Sequence, residues 1–274
     1  MAVSAADVKK LRDETDAPMM ECKGALEEAG GDYNRAKEIL REKGKAAAAK
    51  RVDRATAAGT VSIKNGNKKI AGLIVECETD FVSANPDFQA NIAEMAEVLL
   101  AAGKPGITVE EALALSNGGK TLKEYTEELV GKIRENIVLK QVLVLEGAEY
   151  GYYVHHDKMY GAIIQLSSSN DVAGKDIGMQ VVSMKPEFLT KDQLPQDRLA
   201  SELKIEKERA IQEGKPEAMA EKIAEGRVNK EFVKTVVLLE QPFFKDQGKT
   251  VGQYVGEQPN GLKVEGFYKL FVGQ

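Results

Sequence analysis

The chain predicts an α+β fold: a small N-terminal module of three helices, then two similar subdomains, the second carrying an inserted helical hairpin. Each subdomain reads as a small antiparallel sheet with helices on one face. Three observations predict this. Residues 4 to 44 show helical periodicity punctuated by caps and glycines, the remainder repeats at an offset of 89 residues, and a highly charged stretch interrupts the second copy.

In the N-terminal module, Ser4 can cap a first helix through about Thr15, with Val8 and Leu11 on one face. Pro18 opens a second helix carrying Met19, Cys22 and Leu26, which Gly30-Gly31 end. Asp32 caps a third, with Tyr33, Ala36, Ile39 and Leu40 inward and Gly44 as its stop. About forty residues can bury only a small core, so the module is expected to dock on something larger. The Met19-Met20 pair reads equally well as core packing or as an adaptable contact. Residues 41 to 54 carry Arg41, Lys43, Lys45, Lys50, Arg51 and Arg54 against Glu42 and Asp53. This run is expected to be a solvated helical linker, with RNA or an acidic partner as the alternative. Module and linker together occupy 1–54.

The repeat pairs Gly72, Ile74, Asp87 and Met95 with Gly161, Ile163, Asp176 and Met184. Each copy reads hairpin, loop, helix. The first hairpin turns at Asn65-Gly66, a strong hairpin signal, and the second near His156-Asp157-Lys158. Arg134 to Leu145 and Arg227 to Leu238 both look like a helix end running into an apolar strand. The expected subdomains are 55–140 and 141–274, with the helical hairpin at about 187–226. Its apolar positions, Leu199, Leu203, Ile205, Ile211, Met219 and Ile223, form a stripe too narrow to be buried all round. Self-association into a homodimer, contact with a partner and passive protrusion are all compatible with such a projecting hairpin.

Composition excludes several function classes. The chain has 274 residues, 43% of them hydrophobic and 30% charged, with a net charge of −5. Its longest apolar runs are strand-sized, so no membrane partner is expected. Met1-Ala2-Val3-Ser4-Ala5 leads directly into a helix pattern without signal composition, and Cys22 and Cys77 fall in separate elements, which fits a reducing cytoplasm. The acidic balance argues against direct nucleic-acid binding. No phosphate-binding loop, dinucleotide fingerprint or nucleophile elbow is present, so neither an enzyme nor a cofactor is expected. The adjacent His155 and His156 lack an assignable carboxylate or nucleophile. Glu76, Glu78 and Asp80 form an acidic cluster, but no glycine-bearing calcium loop follows them, and no metal site is expected.

The connector Thr79-Asp80-Phe81-Val82 stands out. It leaves the apolar strand Ile70 to Val75 and precedes a helix start at Asn85-Pro86-Asp87. Connectors lie on the surface and carry function more often than the elements they join. Phe81 can fold back as a staple over the next helix or press into a partner. The second copy carries Ser168-Ser169-Asn170-Asp171 at the equivalent positions, without an aromatic, which favours the partner.

Thr15-Asp16-Ala17-Pro18-Met19-Met20-Glu21-Cys22-Lys23, Thr79-Asp80-Phe81-Val82, Lys185-Pro186-Glu187-Phe188, Gln241-Pro242-Phe243 and Lys249-Thr250-Val251-Gly252-Gln253 occur in that order. In these motifs the chain resembles the bacterial translation elongation factor Ts family over nearly its whole length. The resemblance implies a ubiquitin-associated-like N-terminal module and guanine-nucleotide exchange on elongation factor Tu. It further implies that Thr79, Asp80, Phe81 and Val82 disturb the Mg²⁺ site of that GTPase. Lys23 on the N-terminal module, and Ile133, His155 and Val236 in the core, match secondary contact positions, and Met19 and Met20 beside Lys23 are expected to add to that grip on the partner. The family often has glycine where Asp16, Pro18 and Arg134 stand here. The alternative is a non-catalytic scaffold or RNA-associated interaction protein using the basic linker and the hairpin.

Overall fold

The computed structural model of the chain describes residues 3–15, 17–49, 51 and 53–274; Asp16 and Lys50 lie outside the described residues. The fold is α+β, as expected, and forms two compact units. One comprises Met1–Glu146, His156–Tyr160 and Leu270–Gln274, the other Gly147–His155 and Gly161–Lys269.

The first unit opens with three helices: α1 (Ala5–Thr15), α2 (Met19–Glu28) and α3 (Tyr33–Ala49). The Asp7 amide donates to Ser4 Oγ at 3.1 Å, and the amides of Asn34 and Arg35 donate to Asp32 Oδ1, so the expected caps form. Val8, Leu11, Cys22, Ala25, Leu26, Ala36 and Ile39 close a small core. One expectation fails here, because α3 does not stop at Gly44. The alanine run that follows is the best helix former there is. Gly44 instead lies where α3 passes close to a later helix: a Cβ built on it would stand 3.7 Å from Gly131 Cα.

The sheet of this unit runs in the order β1 (Ala58–Asn65), β2 (Lys69–Cys77) and β3 (Val138–Glu146). The hairpin closes where Asn65 pairs Ile70, with the Gly66 amide donating to the Lys69 carbonyl at 2.7 Å. After β2 come α4 (Asp80–Ser83) and α5 (Pro86–Ala102). Phe88, Ile92, Met95 and Leu99, at spacings of three and four, lay α5 on the sheet. Capping boxes at Thr108/Glu111 and Thr121/Glu124 start α6 (Val109–Leu113) and α7 (Leu122–Ile133). β3 follows α7, and the division expected at 140 falls inside that strand.

The second sheet runs β4 (Glu149–Val154), β5 (Tyr160–Leu166) and β8 (Val264–Phe271). Helix α8 (Asp171–Met184) packs on β4 through Gly174 and Gly178, where strand and helix backbones nearly touch. The projecting hairpin is α9 (Gln196–Gln212) and α10 (Glu217–Arg227), turning at Gly214 with φ +80. Ala210, Ala220 and Ala224 are buried, while Ile205, Ile211 and Met219 are exposed.

The strand expected at the end of Arg227 to Leu238 does not form. The chain continues as a π-helical turn, Val228–Val233, the single turn α11 (Lys234–Val236) and a 3₁₀ turn, Leu238–Glu240. Its apolar run is buried with Leu194, Val228 and Val233, and several of its backbone bonds go to segment 187–189, where Phe188 and Val237 form an isolated parallel bridge. A short apolar run carries no period that separates a buried strand from a buried coil of helix. A small ribbon, β6 (Pro242–Phe243) and β7 (Asp246–Thr250), and α12 (Val251–Gly256) precede β8.

The repeat is visible in both units as a hairpin followed by a helix, but the helices differ. At the offset of 89, Asn170, which caps α8, stands in the place of Phe81, and Gly174 in that of Asn85. The continuous α8 of the second copy is thus broken in the first, at Asn85-Pro86, into α4 and α5.

Candidate functional site

The connector after β2 is a single helical turn rather than a loop. Pairing with β1 ends at Cys77, and Thr79 (φ −124, ψ 154) caps α4, its hydroxyl oxygen accepting from the Val82 amide at 3.4 Å. The Ser83 hydroxyl donates to the Asp80 carbonyl at 3.0 Å, and the Ser83 carbonyl accepts from Thr60 Oγ1 and Gln89 Nε2. Asn85 then accepts from the Asp87 and Phe88 amides and starts α5 afresh. Val82 packs against the core of the first unit, and Phe81 faces away from it, 85% exposed. That exposure excludes the staple reading.

The turn is fastened from outside by a residue that sequence reasoning missed. Glu135 Oε2 accepts from the amides of Glu78 and Thr79, both at 3.0 Å, and Glu135 Oε1 accepts from Thr79 Oγ1 at 2.6 Å. Reciprocally, Glu78 Oε1 accepts from the Asn136 amide at 2.6 Å, and Arg54 lies 3.4 Å from the same oxygen. The Cys77 thiol donates to the Thr79 carbonyl at 3.3 Å. Burial, and secondarily the charge of Glu135, push that thiol up to about 12. Two members of the acidic cluster are therefore spent on structure, Glu76 buried and accepting from Thr56 and Glu78 holding Asn136, whereas Asp80 is exposed. Among the described residues no group of three or more His, Cys, Asp or Glu side chains is placed to hold a metal.

Helix α2 presents Met19 and Met20, 51% and 75% exposed, with Lys23 beside them in an exposed pair with Glu27 at 3.7 Å. Their neighbour Glu21 ion-pairs with Arg134, the left-handed residue (φ 67) that ends α7. Ile133, the last residue of α7, is half-buried against the same core as Val82. Residues 133 to 135 thus join the surroundings of the methionine pair to the Thr79–Val82 turn. A cleft of about 400 Å³ opens between the N-terminal helices and α7. Lys37, Arg41 and Lys120 on its walls pair with Glu14, Glu124 and Glu128, so its charges largely cancel within it.

In the second unit, His155 is half-buried, with Nδ1 2.9 Å from Tyr153 Oη, and His156 is exposed. Val236 is buried at 7% exposure, and its carbonyl accepts from the amides of Glu187 and Phe188. Its side chain is buried with Leu194, Val228, Val233 and Val237. Arg198 holds the base of the hairpin, donating to both carboxylate oxygens of Glu187 while lying over the rings of Phe188 and Phe232. The guanidinium draws the Glu187 carboxyl below its ordinary range.

Known proteins are similar to this chain in sequence over nearly its whole length. The model of the family described as Elongation factor TS matches residues 78–274. The chain is 42% identical over 275 residues to elongation factor Ts of Thiobacillus denitrificans, covering 99% of this chain and 92% of that protein. It is 39% identical to elongation factor Ts of Hydrogenobaculum sp. and 41% identical to that of Amoebophilus asiaticus, each match covering 100% of both chains.

Proposed function

This chain belongs to the elongation factor Ts family, and on that premise we propose that it is the guanine-nucleotide exchange factor of elongation factor Tu in translation elongation. It releases GDP by disturbing the Mg²⁺ site of the GTPase through Thr79, Asp80, Phe81 and Val82. The observation that carries this reading is Phe81: a large apolar ring, 85% exposed, on a turn whose backbone is held from several sides. Burying such a ring against a partner contributes about 1.5–3 kcal/mol.

The physical logic is linkage. Nucleotide and Mg²⁺ stabilise one arrangement of the GTPase's phosphate loops, the exchange factor binds another arrangement better, and each weakens the other by the same factor. Phe81 acts as the wedge, and Asp80 brings negative charge to the region that the metal leaves. Loss of the ion removes the largest local charge holding the diphosphate. Met19, Met20 and Lys23 give a second grip from the same unit, with Ile133 between the two, and a divided contact raises affinity through effective concentration. His155, and Val236 from beneath the surface, extend the contact to the second unit. No bond-making chemistry is required of this chain, and a cytoplasmic setting suits its two buried, free thiols.

The scaffold or RNA-associated alternative draws less support, since much of the basic run is already paired. Arg41 pairs with Glu124, Lys43 with Glu28, and Arg54 with Glu78. The test is Phe81→Ala, followed by release of labelled GDP from elongation factor Tu. Exchange should fall by about 10- to 100-fold, from the loss of the buried ring. Wild-type exchange by the folded variant would refute the wedge.

A further inference from the structure

We propose that Glu135 is the positioning residue of the exchange turn, a carboxylate clamp that keeps Phe81 in its wedge-ready orientation before the partner arrives. This rests on the reading of Phe81 as the wedge. A four-residue helix has no stability of its own, because nucleating one turn fixes more dihedrals than its hydrogen bonds repay. Something outside the turn must order it.

Pairing of β2 ends at Cys77, which leaves the next two amides, of Glu78 and Thr79, beyond the sheet. Glu135 takes both on one oxygen at 3.0 Å and the Thr79 hydroxyl on the other at 2.6 Å. The Thr79 oxygen is used twice, donating its proton to Glu135 and accepting from the Val82 amide at 3.4 Å. Glu135 therefore sets the rotamer of the cap itself, two residues before Phe81.

The clamp is itself anchored. Arg134 closes α7 through its amide to the Val130 carbonyl at 2.9 Å, and Asn136 donates its amide to Glu78 Oε1 and its Nδ2 to the Arg54 carbonyl at 2.7 Å. Glu78 and Glu135 thus cross-link the two segments in opposite directions. The corresponding position of the second copy needs no such device, since Asn170 caps a helix that runs on unbroken. A binding-competent conformer populated only in part lowers apparent affinity by that fraction, so the clamp acts on apparent affinity more than on the step that follows docking.

The experiment uses the full chain and GDP exchange on the GTPase, with KM for the exchange factor and kcat measured separately. Glu135→Ala should raise KM about tenfold and leave kcat within twofold, whereas Phe81→Ala should lower kcat. Glu135→Gln should recover most of the loss: its carbonyl oxygen can accept both amides, and its NH₂ can donate to Thr79 Oγ1. Glu135→Asp, one methylene shorter, is a milder variant with KM raised about threefold. The chain contains no tryptophan, so Phe81→Trp supplies a single reporter. Its fluorescence anisotropy should drop when Glu135→Ala is added, without any partner present. Wild-type KM in Glu135→Ala beside an impaired Phe81→Ala overturns the positioning role alone. So does Glu135→Gln as poor as Glu135→Ala, or an anisotropy that does not respond. Wild-type exchange by Phe81→Ala overturns the wedge on which the proposal rests.

Discussion

Replacing Gly151 with alanine should destabilise the second unit by about 3 kcal/mol, although only one methyl group is added. A Cβ at Gly151 would stand 2.3 Å from Gly174 Cα and 2.9 Å from the Gly174 carbonyl carbon, where ordinary contact begins near 3.4 Å. Both atoms it meets are backbone, so no rotamer change relieves the clash. Strand β4 and helix α8 must part by roughly 1 Å, which also loosens the close contact of Gly178 with Tyr153 and the seating of Ile177 and Val181. Overpacking of this kind costs about 1–3 kcal/mol, and the absence of a flexible partner places this case at the upper end. The control is Gly226→Ala on α10, where a Cβ meets nothing within 4 Å. Alanine there should stabilise by about 0.5–1 kcal/mol through helix propensity. Urea unfolding followed by far-UV circular dichroism measures both. With a slope of about 2 kcal/mol/M, Gly151→Ala should lower the midpoint by roughly 1.5 M. A midpoint within about 0.3 M of wild type would refute the reasoning, because it would mean that helix and strand can separate at no cost.

Three further outcomes are expected. Asp176 is buried and accepts from Lys245 Nζ at 2.6 Å and Tyr254 Oη at 3.2 Å, so Asp176→Ala should cost about 2–3 kcal/mol and Asp176→Asn less; equal losses in urea midpoint would count against the network. The Cys77 thiol, raised by burial from 9.0 to about 12, keeps its proton in the folded chain while the unfolded chain loses it. Its stabilising contribution is therefore complete below pH 9 and lost as pH rises toward 12, by up to ~1.4 kcal/mol per pH unit. Cys77→Ala should flatten that part of the stability–pH curve, and an unchanged slope would contradict it. Gly44→Ala should stabilise the chain by about 0.5–1 kcal/mol and so raise its thermal midpoint, since its Cβ would meet Gly131 Cα at an ordinary 3.7 Å; a lowered midpoint would show that the α3–α7 crossing needs the glycine.

What the sequence makes legible here is what local chemistry decides. Ser4, Asp32 and Asn85 each announce a helix by a side-chain acceptor, and all three caps form. The Asn65-Gly66 hairpin and the buried stripe of α5 follow from turn chemistry and period. What stays hidden depends on partners far along the chain. Gly44 reads as a stop until α7 arrives beside it. The valines near 236 read as a strand until segment 187–189 takes their backbone bonds. Phe81 was legible as the candidate, but Glu135 was not, because 56 residues separate it from Thr79 and a lone glutamate after a helix looks like any solvated carboxylate. The left-handed Arg134 carries a faint signal, since a helix ending there must turn its next side chain sharply.

The break at Asn85-Pro86 has a mechanical consequence. Proline has no amide hydrogen, so no rung of the helical ladder ties residue 86 back to Val82. Asn85 itself is extended (ψ 126), and the ladder resumes only with the Gln89 amide donating to the Asn85 carbonyl at 3.0 Å. The backbone of α4 is therefore not continuous with that of α5, and the turn is tied to β1 and α5 through the bonds of Thr60 and Gln89 to the Ser83 carbonyl and through the packing of Val82. In the second copy the ladder of α8 runs unbroken from Asp171 to Met184. On the proposal that Phe81 is the wedge, the aromatic turn would meet its partner as a separate block, fastened by side chains and not by an unbroken helical ladder.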